Sequence, residues 1–340
     1  MNKRVLLTGA SGSIGLHTLS QIMKNTDWHI VAPVSFRHKG LADRFAKHFE
    51  LHPDDLSRVT IVYHDLSAPF SDMTKKKMGK IDYIINMASM SDVFDSIQNP
   101  VPFVTNNIAL VLNMLEYARE CKPEAFIQIS TDEVYGPSKK GQRFEEWSTL
   151  LPSNPYAASK ASQEMMAIAY WRTYNVPVII TNTVNNFAEL QSPAKFPVII
   201  QNKIANDETV IIHGKEGDVG ARFYLHSQNF GNALVFILKN LPPYMHTEGE
   251  SDKPDRYNIT SDDEVDNLEL AKFIAKCMGK ELKYEFQDSA TTRPGHDKFY
   301  GLSGEKLKKL GWTPPVSFEE GMKNVVEWQT NNPDWLNVKI

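Results

Sequence analysis

An α/β fold, a doubly wound parallel sheet followed by a smaller C-terminal α+β lobe, is what this sequence predicts, on three observations. Short apolar runs alternate with segments of helical periodicity through the first half of the chain. Those runs are continuously apolar rather than alternating, the pattern of strands covered on both faces. A glycine-rich turn, with Gly9, Gly12 and Gly15, joins the first run to the first helix.

The apolar runs fall at residues 5–7, 29–34, 59–63, 83–87, 126–129 and 178–180, and helical periodicity occupies 14–23, 41–49, 107–118 and 159–174. From residue 185 the regularity breaks. Pro193, Pro197, Gly214, Gly217, Pro242-Pro243, Pro254, Pro294-Gly295 and Pro314-Pro315 punctuate shorter elements. Residues 1–184 therefore read as the sheet domain, with segments near 226–260 returning to it. Residues 185–340 read mainly as a lobe over the carboxyl edge of the sheet, where ligands bind in such folds. The polar stretch 247–255 and the run Lys75-Lys76-Lys77 read as solvated loops.

Composition narrows the function classes. The chain has 340 residues, 41% hydrophobic and 23% charged, ordinary for a water-soluble protein. A net charge of -4 without a basic block argues against nucleic acid as a partner. Cys121 and Cys277 both lie in helical patterns, so they read as buried thiols, with no disulfide framework and no metal site. Gly9 cuts the first apolar run too short for a secretory signal, and no run approaches membrane-spanning length. The expectation is a cytoplasmic protein with no membrane partner.

Thr8-Gly9-Ala10-Ser11-Gly12-Ser13-Ile14-Gly15 leaves a strand and opens a helix. Glycines there allow a tight turn, close backbone approach to a pyrophosphate, and close helix–strand packing. The fold is thus Rossmann-like and the cofactor a nicotinamide dinucleotide. Its candidate contacts are Gly9, Gly12, Ser13, Ile14 and Gly15 at the turn, Asp65 and Leu66 after the third strand for adenine, and Met87, Ala88 and Ser89 after the fourth. The second strand ends in Ser35-Phe36-Arg37 rather than in the acid that binds a ribose 2′-hydroxyl. Ser35 and Arg37 suit a 2′-phosphate, which favours NADP(H) over NAD(H).

The chemistry is concentrated in Ser130-Thr131-Asp132-Glu133-Val134-Tyr135-Gly136 and, some twenty residues on, Tyr156-Ala-Ala-Ser-Lys160. Tyr156 and Lys160 are four apart and share one helix face. An ammonium so placed favours phenolate, which predicts a lowered phenol pKa and a base usable near neutral pH. Two adjacent acids beside such a couple could divide acid and base roles if their environments separate their pKa values.

These motifs together resemble the extended short-chain dehydrogenase/reductase family. Ser130–Gly136 narrows the likeness to its nucleotide-sugar 4,6-dehydratase branch, most closely the members acting on dTDP-glucose. The resemblance extends through Asn154–Ser162, Arg172-Thr173-Tyr174, Asn185-Asn186-Phe187, Gln191, Lys195, Arg222, Tyr257-Asn258-Ile259 and Arg293–Tyr300. It implies a lyase that oxidises C4 of an NDP-hexose, eliminates water across C5 and C6, and returns hydride to C6. Tyr156, held by Lys160 and Thr131, would take the O4 proton; Glu133 would be the base at C5 and Asp132 the acid at O6. Tyr156, Lys160 and Asn186 would also touch the cofactor. The resemblance implies substrate contacts from Ser91, Thr131, Asn185, Lys195, Arg222, Asn258, Arg293, His296 and Tyr300, and a homodimer formed through a four-helix bundle.

The chain departs from that family in places. Met90, Asp92, Phe94 and Asp95 stand where glutamate, histidine, aspartate and arginine are usual, which leaves the hexose open. Ala188-Glu189 replaces Gly-Pro, and Phe223 replaces the acid after Arg222. Two other readings stay open: an epimerase or another dehydratase on the same scaffold, and a non-catalytic dinucleotide sensor.

Overall fold

The computed structural model describes residues 2–37, 41–249, 251–287 and 297–336. The elements, in order, begin with β1 (Arg4–Leu7), α1 (Ser13–Asn25), β2 (His29–Val34), α2 (Leu41–Leu51), β3 (Val59–Tyr63), α3 (Asp72–Met78) and β4 (Tyr83–Asn86). Next come α4 (Val93–Gln98), α5 (Pro100–Cys121), β5 (Ala125–Thr131), α6 (Pro155–Tyr174), β6 (Val178–Thr183) and β7 (Asn185–Phe187). The second half holds α7 (Phe196–Ala205), β8 (Val210–Lys215), β9 (Asp218–Val219), β10 (Ala221–His226), α8 (Ser227–Asn240), β11 (Asp255–Ile259), β12 (Glu264–Asp266) and α9 (Asn267–Met278). It ends with β13 (Tyr284–Gln287), α10 (Glu305–Lys309), α11 (Phe318–Asn331) and α12 (Pro333–Leu336).

Among the described residues, seven strands form one sheet in the order β11-β6-β5-β4-β1-β2-β3, every neighbouring pair parallel. Successive strand side chains point to opposite faces, so one strand feeds two cores. Val5 and Leu7 join Leu16, Leu19, Phe230 and Leu234 on one side. Leu6 joins Val111, Leu115, Phe126 and Trp171 on the other. Helices α1 and α8 pack together on the first face, α5 and α6 on the second. A third core, built from Phe187, Ile200, Ile212, Tyr224, Leu270, Ile274 and Met322, holds the smaller lobe. The predicted α/β architecture is the one that forms.

Local chemistry corrects several expectations. Lys75-Lys76-Lys77 is not a loop. Ser71 caps α3 by accepting the Thr74 N–H, Gly79 ends it at φ 69°, and the lysines lie on its last turn. The polar stretch 247–255 does not stay in solvent throughout, because Asp255 is buried and opens the edge strand β11 beside β6. The long helices α5 and α6 start before their apolar stripes do, each with a proline in the first turn. Cys121 and Cys277 are unbridged and half-buried.

The most deeply buried charge pair sits where α6 meets the sheet edge. Arg256 Nη2 donates to Glu164 at 2.5 Å, and both side chains are essentially inaccessible. Glu164 also accepts from Asn182, and Arg256 reaches the Glu146 carbonyl at 3.0 Å. Removing one partner strands a charge in a dry interior. Arg256→Met should therefore cost about 3–5 kcal/mol in urea unfolding, with much of the loss recovered by adding Glu164→Leu. A loss below about 1 kcal/mol, the range of an exposed pair, would show that water reaches this pair.

Candidate active site

The turn after β1 is shaped for close approach. Gly9 adopts φ 72°, and a Cβ on Gly15 would lie 2.1 Å from the Gly9 carbonyl oxygen, so no larger residue fits there. Thr8 Oγ1 accepts the N–H groups of Met87 and Ala88, tying this turn to the end of β4. Strands β1 and β4 are neighbours at which the sheet order reverses, the position of the ligand crevice in open α/β sheets. Gly12, Ser13, Ile14, Met87, Ala88 and Ser89 all border it. The Ser13 hydroxyl and the Asn186 side-chain oxygen are buried without a protein partner. Bare backbone, a helix N-terminus and unpartnered hydroxyl and amide oxygens fit a dinucleotide. At the end of β2 and β3, Arg37 donates to Asp65 at 2.8 Å, and Leu66 is buried in the core.

The acid pair forms where β5 ends. Thr131 closes the strand and caps a single 3-10 turn, Asp132–Tyr135, which carries both carboxyls inward. The Thr131 hydroxyl donates to Asp132 Oδ1 at 3.0 Å, while Oδ2 is buried with no partner. Glu133 instead accepts from Asn154 Nδ2 at 2.9 Å. Burial, then the neighbouring Glu133 charge, pushes Asp132 up to about 7. Burial also raises Glu133, opposed by the Asn154 amide, Arg222 and Lys195.

Helix α6 brings the phenol and the amine to the same place. Ser96 accepts the Tyr156 N–H at 3.2 Å, anchoring the first turn of α6 to α4. The expected lowering of the phenol is not found. Burial, then Glu133 and Asp132, holds Tyr156 well above its ordinary value, with only the Thr131 hydroxyl opposing. Lys160 Nζ is engaged elsewhere, donating to Gln163 Oε1 at 2.7 Å, and burial pushes it down to about 7. Helical spacing supplied the shared face but not the surrounding dielectric, and here desolvation and the two carboxylates set the shift.

Of the expected substrate residues, Arg222, Lys195 and Tyr300 converge on the acid pair closely enough to perturb it or be perturbed by it. Arg222 stacks over the Tyr300 ring at 4.7 Å and donates to the Asp297 carbonyl at 2.5 Å and to that of Lys298. Ser91 and Asn185 are exposed, the first after β4 and the second at the start of β7. Asn258 is fully buried; its amide donates to the Phe144 carbonyl at 3.0 Å, and its side-chain oxygen has no partner. Arg293 and His296 lie outside the described residues. Among those described, no His, Cys, Asp or Glu group could hold a metal.

The family departures have structural partners. Asp92 caps α4 by accepting the Asp95 N–H, and Phe94 is 57% exposed. Burial alone would raise Glu189, but His17 and His226, at 3.2 and 3.5 Å, hold its carboxyl well below the usual range. Phe223 packs under the Arg143 guanidinium at 4.8 Å. Asn154, Gln128 and Gln163 carry contacts to the site that the motif search did not single out. Buried polar residues interrupting apolar runs, such as Gln128 within 126–129, were the available signal.

Comparison with known proteins agrees with this geometry. The family described as GDP-mannose 4,6 dehydratase matches residues 6–325. The low-salt glycan biosynthesis protein Agl12 of Haloferax volcanii is 33% identical over 95% of this chain and 97% of its own length. The dTDP-glucose 4,6-dehydratase of Escherichia coli is 30% identical, covering 99% of this chain and 95% of that one. The dTDP-glucose 4,6-dehydratase DesIV of Streptomyces venezuelae, solved with NAD bound, superposes with a TM-score of 0.83 at 27% identity, covering 98% of each chain. With a match that spans both the sheet and the smaller lobe, the chain belongs to the GDP-mannose 4,6 dehydratase family, within the nucleotide-sugar 4,6-dehydratases of the extended short-chain dehydrogenase/reductase type.

Proposed function

We propose that this protein is an NDP-hexose 4,6-dehydratase of the dTDP- or UDP-glucose type, making a 4-keto-6-deoxy sugar for deoxysugar biosynthesis. One observation carries the reading: two adjacent carboxyls in unlike hydrogen-bond settings, Asp132 buried and Glu133 half-buried, share a site with the buried Tyr156 and Lys160. Oxidation and epimerisation at C4 use the phenol and the amine alone, whereas elimination of water needs a base and an acid as well.

Held by the Gly9–Gly15 turn, Met87–Ser89 and the unpartnered Ser13 and Asn186 oxygens, a nicotinamide dinucleotide would supply the hydride acceptor for C4 and the hydride donor for C6. Tyr156 removes the O4 proton, with the Thr131 hydroxyl as its hydrogen-bond partner and Lys160 as the cation on the same helix face. The new ketone acidifies C5–H, Glu133 removes that proton, Asp132 donates its own to the departing O6, and Glu133 gives a proton back to C5 as hydride reaches C6. An Asp132 raised to about 7 still holds a proton near neutrality. Its protonation also removes one of the two charges that keep the phenol from ionising. Lys195, Arg222 and Tyr300, with Ser91 and Asn185, hold the sugar diphosphate, Arg222 and Lys195 acting as the cations.

Residues 1–184 with 226–260 carry the dinucleotide and 185–340 mainly the nucleotide sugar. A cytoplasmic setting, where both small molecules are available, belongs to the same reading; among the described residues no helix is long and apolar enough to cross a membrane. Helices α5 and α6 present Val101, Val104 and Met165 to solvent, which supports pairing of two copies through a four-helix bundle. Preference for NADP(H) rests on Ser35 and Arg37, and the Arg37–Asp65 ion pair weighs against it.

Incubation with dTDP-, UDP-, GDP- and CDP-hexoses should yield a product lighter by one water, with the alkaline absorbance of a 4-keto sugar. Asp132→Asn and Glu133→Gln should keep the dinucleotide and lose at least about 100-fold in keto-sugar formation. Inversion without mass loss would make the protein an epimerase, and no change with any donor would leave the sensor reading. Native mass spectrometry should find two chains with a dinucleotide in each. A lone chain rejects the bundle, and a cofactor lacking the 2′-phosphate rejects the NADP(H) preference.

Asp132 also sets a dependence of stability on pH. Its folded pKa is raised, so its cost to folding is absent below about pH 4 and grows until about pH 7. Asp132→Asn should thus stabilise by on the order of 1–3 kcal/mol near pH 8 in urea unfolding, the gain shrinking towards pH 4. A gain that stays the same across that range would mean the carboxyl is not desolvated.

A further inference from the structure

Asn154 occupies a position that the roles above leave unexplained. It caps α6, the helix carrying Tyr156 and Lys160, and its Oδ1 accepts the Ala157 N–H at 2.9 Å. That bond fixes the amide's orientation, since only an oxygen can accept from a backbone N–H. The other end, Nδ2, therefore donates, and its acceptor is Glu133 Oε2 at 2.9 Å. Asn154 is 5% exposed, its bond to Ala157 is buried and its bond to the half-buried Glu133 is partly so. Asp132, in the same turn, has the Thr131 hydroxyl on one oxygen and nothing on the other. An amide N–H can only donate, so it favours a carboxylate over a carboxylic acid at Glu133. Asp132 has no such donor and keeps an oxygen free for a proton.

We propose that Asn154 is a positioning residue for the elimination step: from the cap of the Tyr–Lys helix it holds Glu133 ionised and aimed, and so assigns the base role to Glu133 and the acid role to Asp132. The proposal rests on the dehydratase reading and deepens it. One residue thereby sets the register between the group that acts at O4 and the group that acts at C5. Among the influences on Glu133, burial is the largest and raises it, and the Asn154 hydrogen bond is the first to oppose that.

The test separates the two half-reactions on an NDP-hexose that the parent enzyme turns over. Asn154→Ser keeps a capping oxygen and replaces the amide N–H with a hydroxyl one bond shorter, drawn back from Glu133; Asn154→Asp keeps the cap and sets a second charge against Glu133. Reduced-nicotinamide absorbance in a single turnover reports oxidation at C4, and deuterium uptake from solvent reports proton removal at C5. In Asn154→Ser, C4 oxidation should run at the parent rate while C5 exchange slows about tenfold to hundredfold. The ascending limb of its pH profile should move to higher pH, because the bond favouring the carboxylate is gone. Asn154→Asp should show the same changes enlarged, and carries the comparison if the serine variant does not fold. In a Glu133→Gln background, Asn154→Ser should add no further loss of C5 exchange. Equal slowing of both half-reactions, an unmoved pH limb, or an additive loss in that background would overturn the proposal. A parent enzyme that eliminates water from no NDP-hexose would instead sink the dehydratase reading, a failure visible before any variant is made.

Discussion

A row of buried hydrogen bonds across the carboxyl edge of the sheet is the constraint on which the rest depends. Thr8 donates to Asn86, Asn86 to Gln128, and Gln128 to Gln163, whose side-chain oxygen also accepts from Lys160. All four residues from Thr8 to Gln163 are fully buried. Gln163 passes its remaining N–H to the Asn107 carbonyl on α5. Each amide spends donor and acceptor in one direction, so the dinucleotide turn, β4, β5 and α6 cannot shift independently without stranding a buried polar group. The row joins the glycine-rich turn at one end to the site lysine at the other.

Beside this row the protein keeps charge where charge is costly. Asp132, Lys160, Glu164 and Arg256 are buried and Glu133 half-buried, and desolvation dominates each resolved shift among them. Glu164 and Arg256 resolve the cost by pairing directly. Asp132 and Lys160 instead drift towards neutrality, to about 7 in each case. Groups poised there can gain or lose a proton at little free-energy cost, which is what acid–base work demands. The same poise makes the site a source of instability, the common trade between function and fold.

The smaller lobe meets the sheet through different chemistry. Arg222 is held by backbone carbonyls at 297 and 298 and by the face of Tyr300, so its guanidinium is aimed before any anion arrives. On the far side, the Glu189 carboxylate between His17 and His226 ties α1 to the start of α8 and the segment after β7. Glu189 is one of the residues that depart from the expected family pattern. Residues unlike the family pattern are thus integrated into packing here, Phe223 under Arg143 being another.

Periodicity and spacing made much of this legible in the chain alone. The alternation of apolar runs with helical stripes predicted the parallel sheet, because strands covered on both faces must be apolar throughout. Fixed spacing between Tyr156 and Lys160, and adjacency of Asp132 and Glu133, required only local geometry to be read. Helix starts at Pro100 and Pro155, the lysine-bearing turn of α3 and the burial of Asp255 escaped, since caps and edge pairing depend on neighbours distant in sequence. The sign of the Tyr156 shift escaped for a deeper reason: a pKa is set by the medium around the group. Sequence by itself determined which side chains are candidates for chemistry. Only the tertiary structure decided their protonation and their partners, because those follow from desolvation and from contacts between residues far apart along the chain, such as His17 with Glu189.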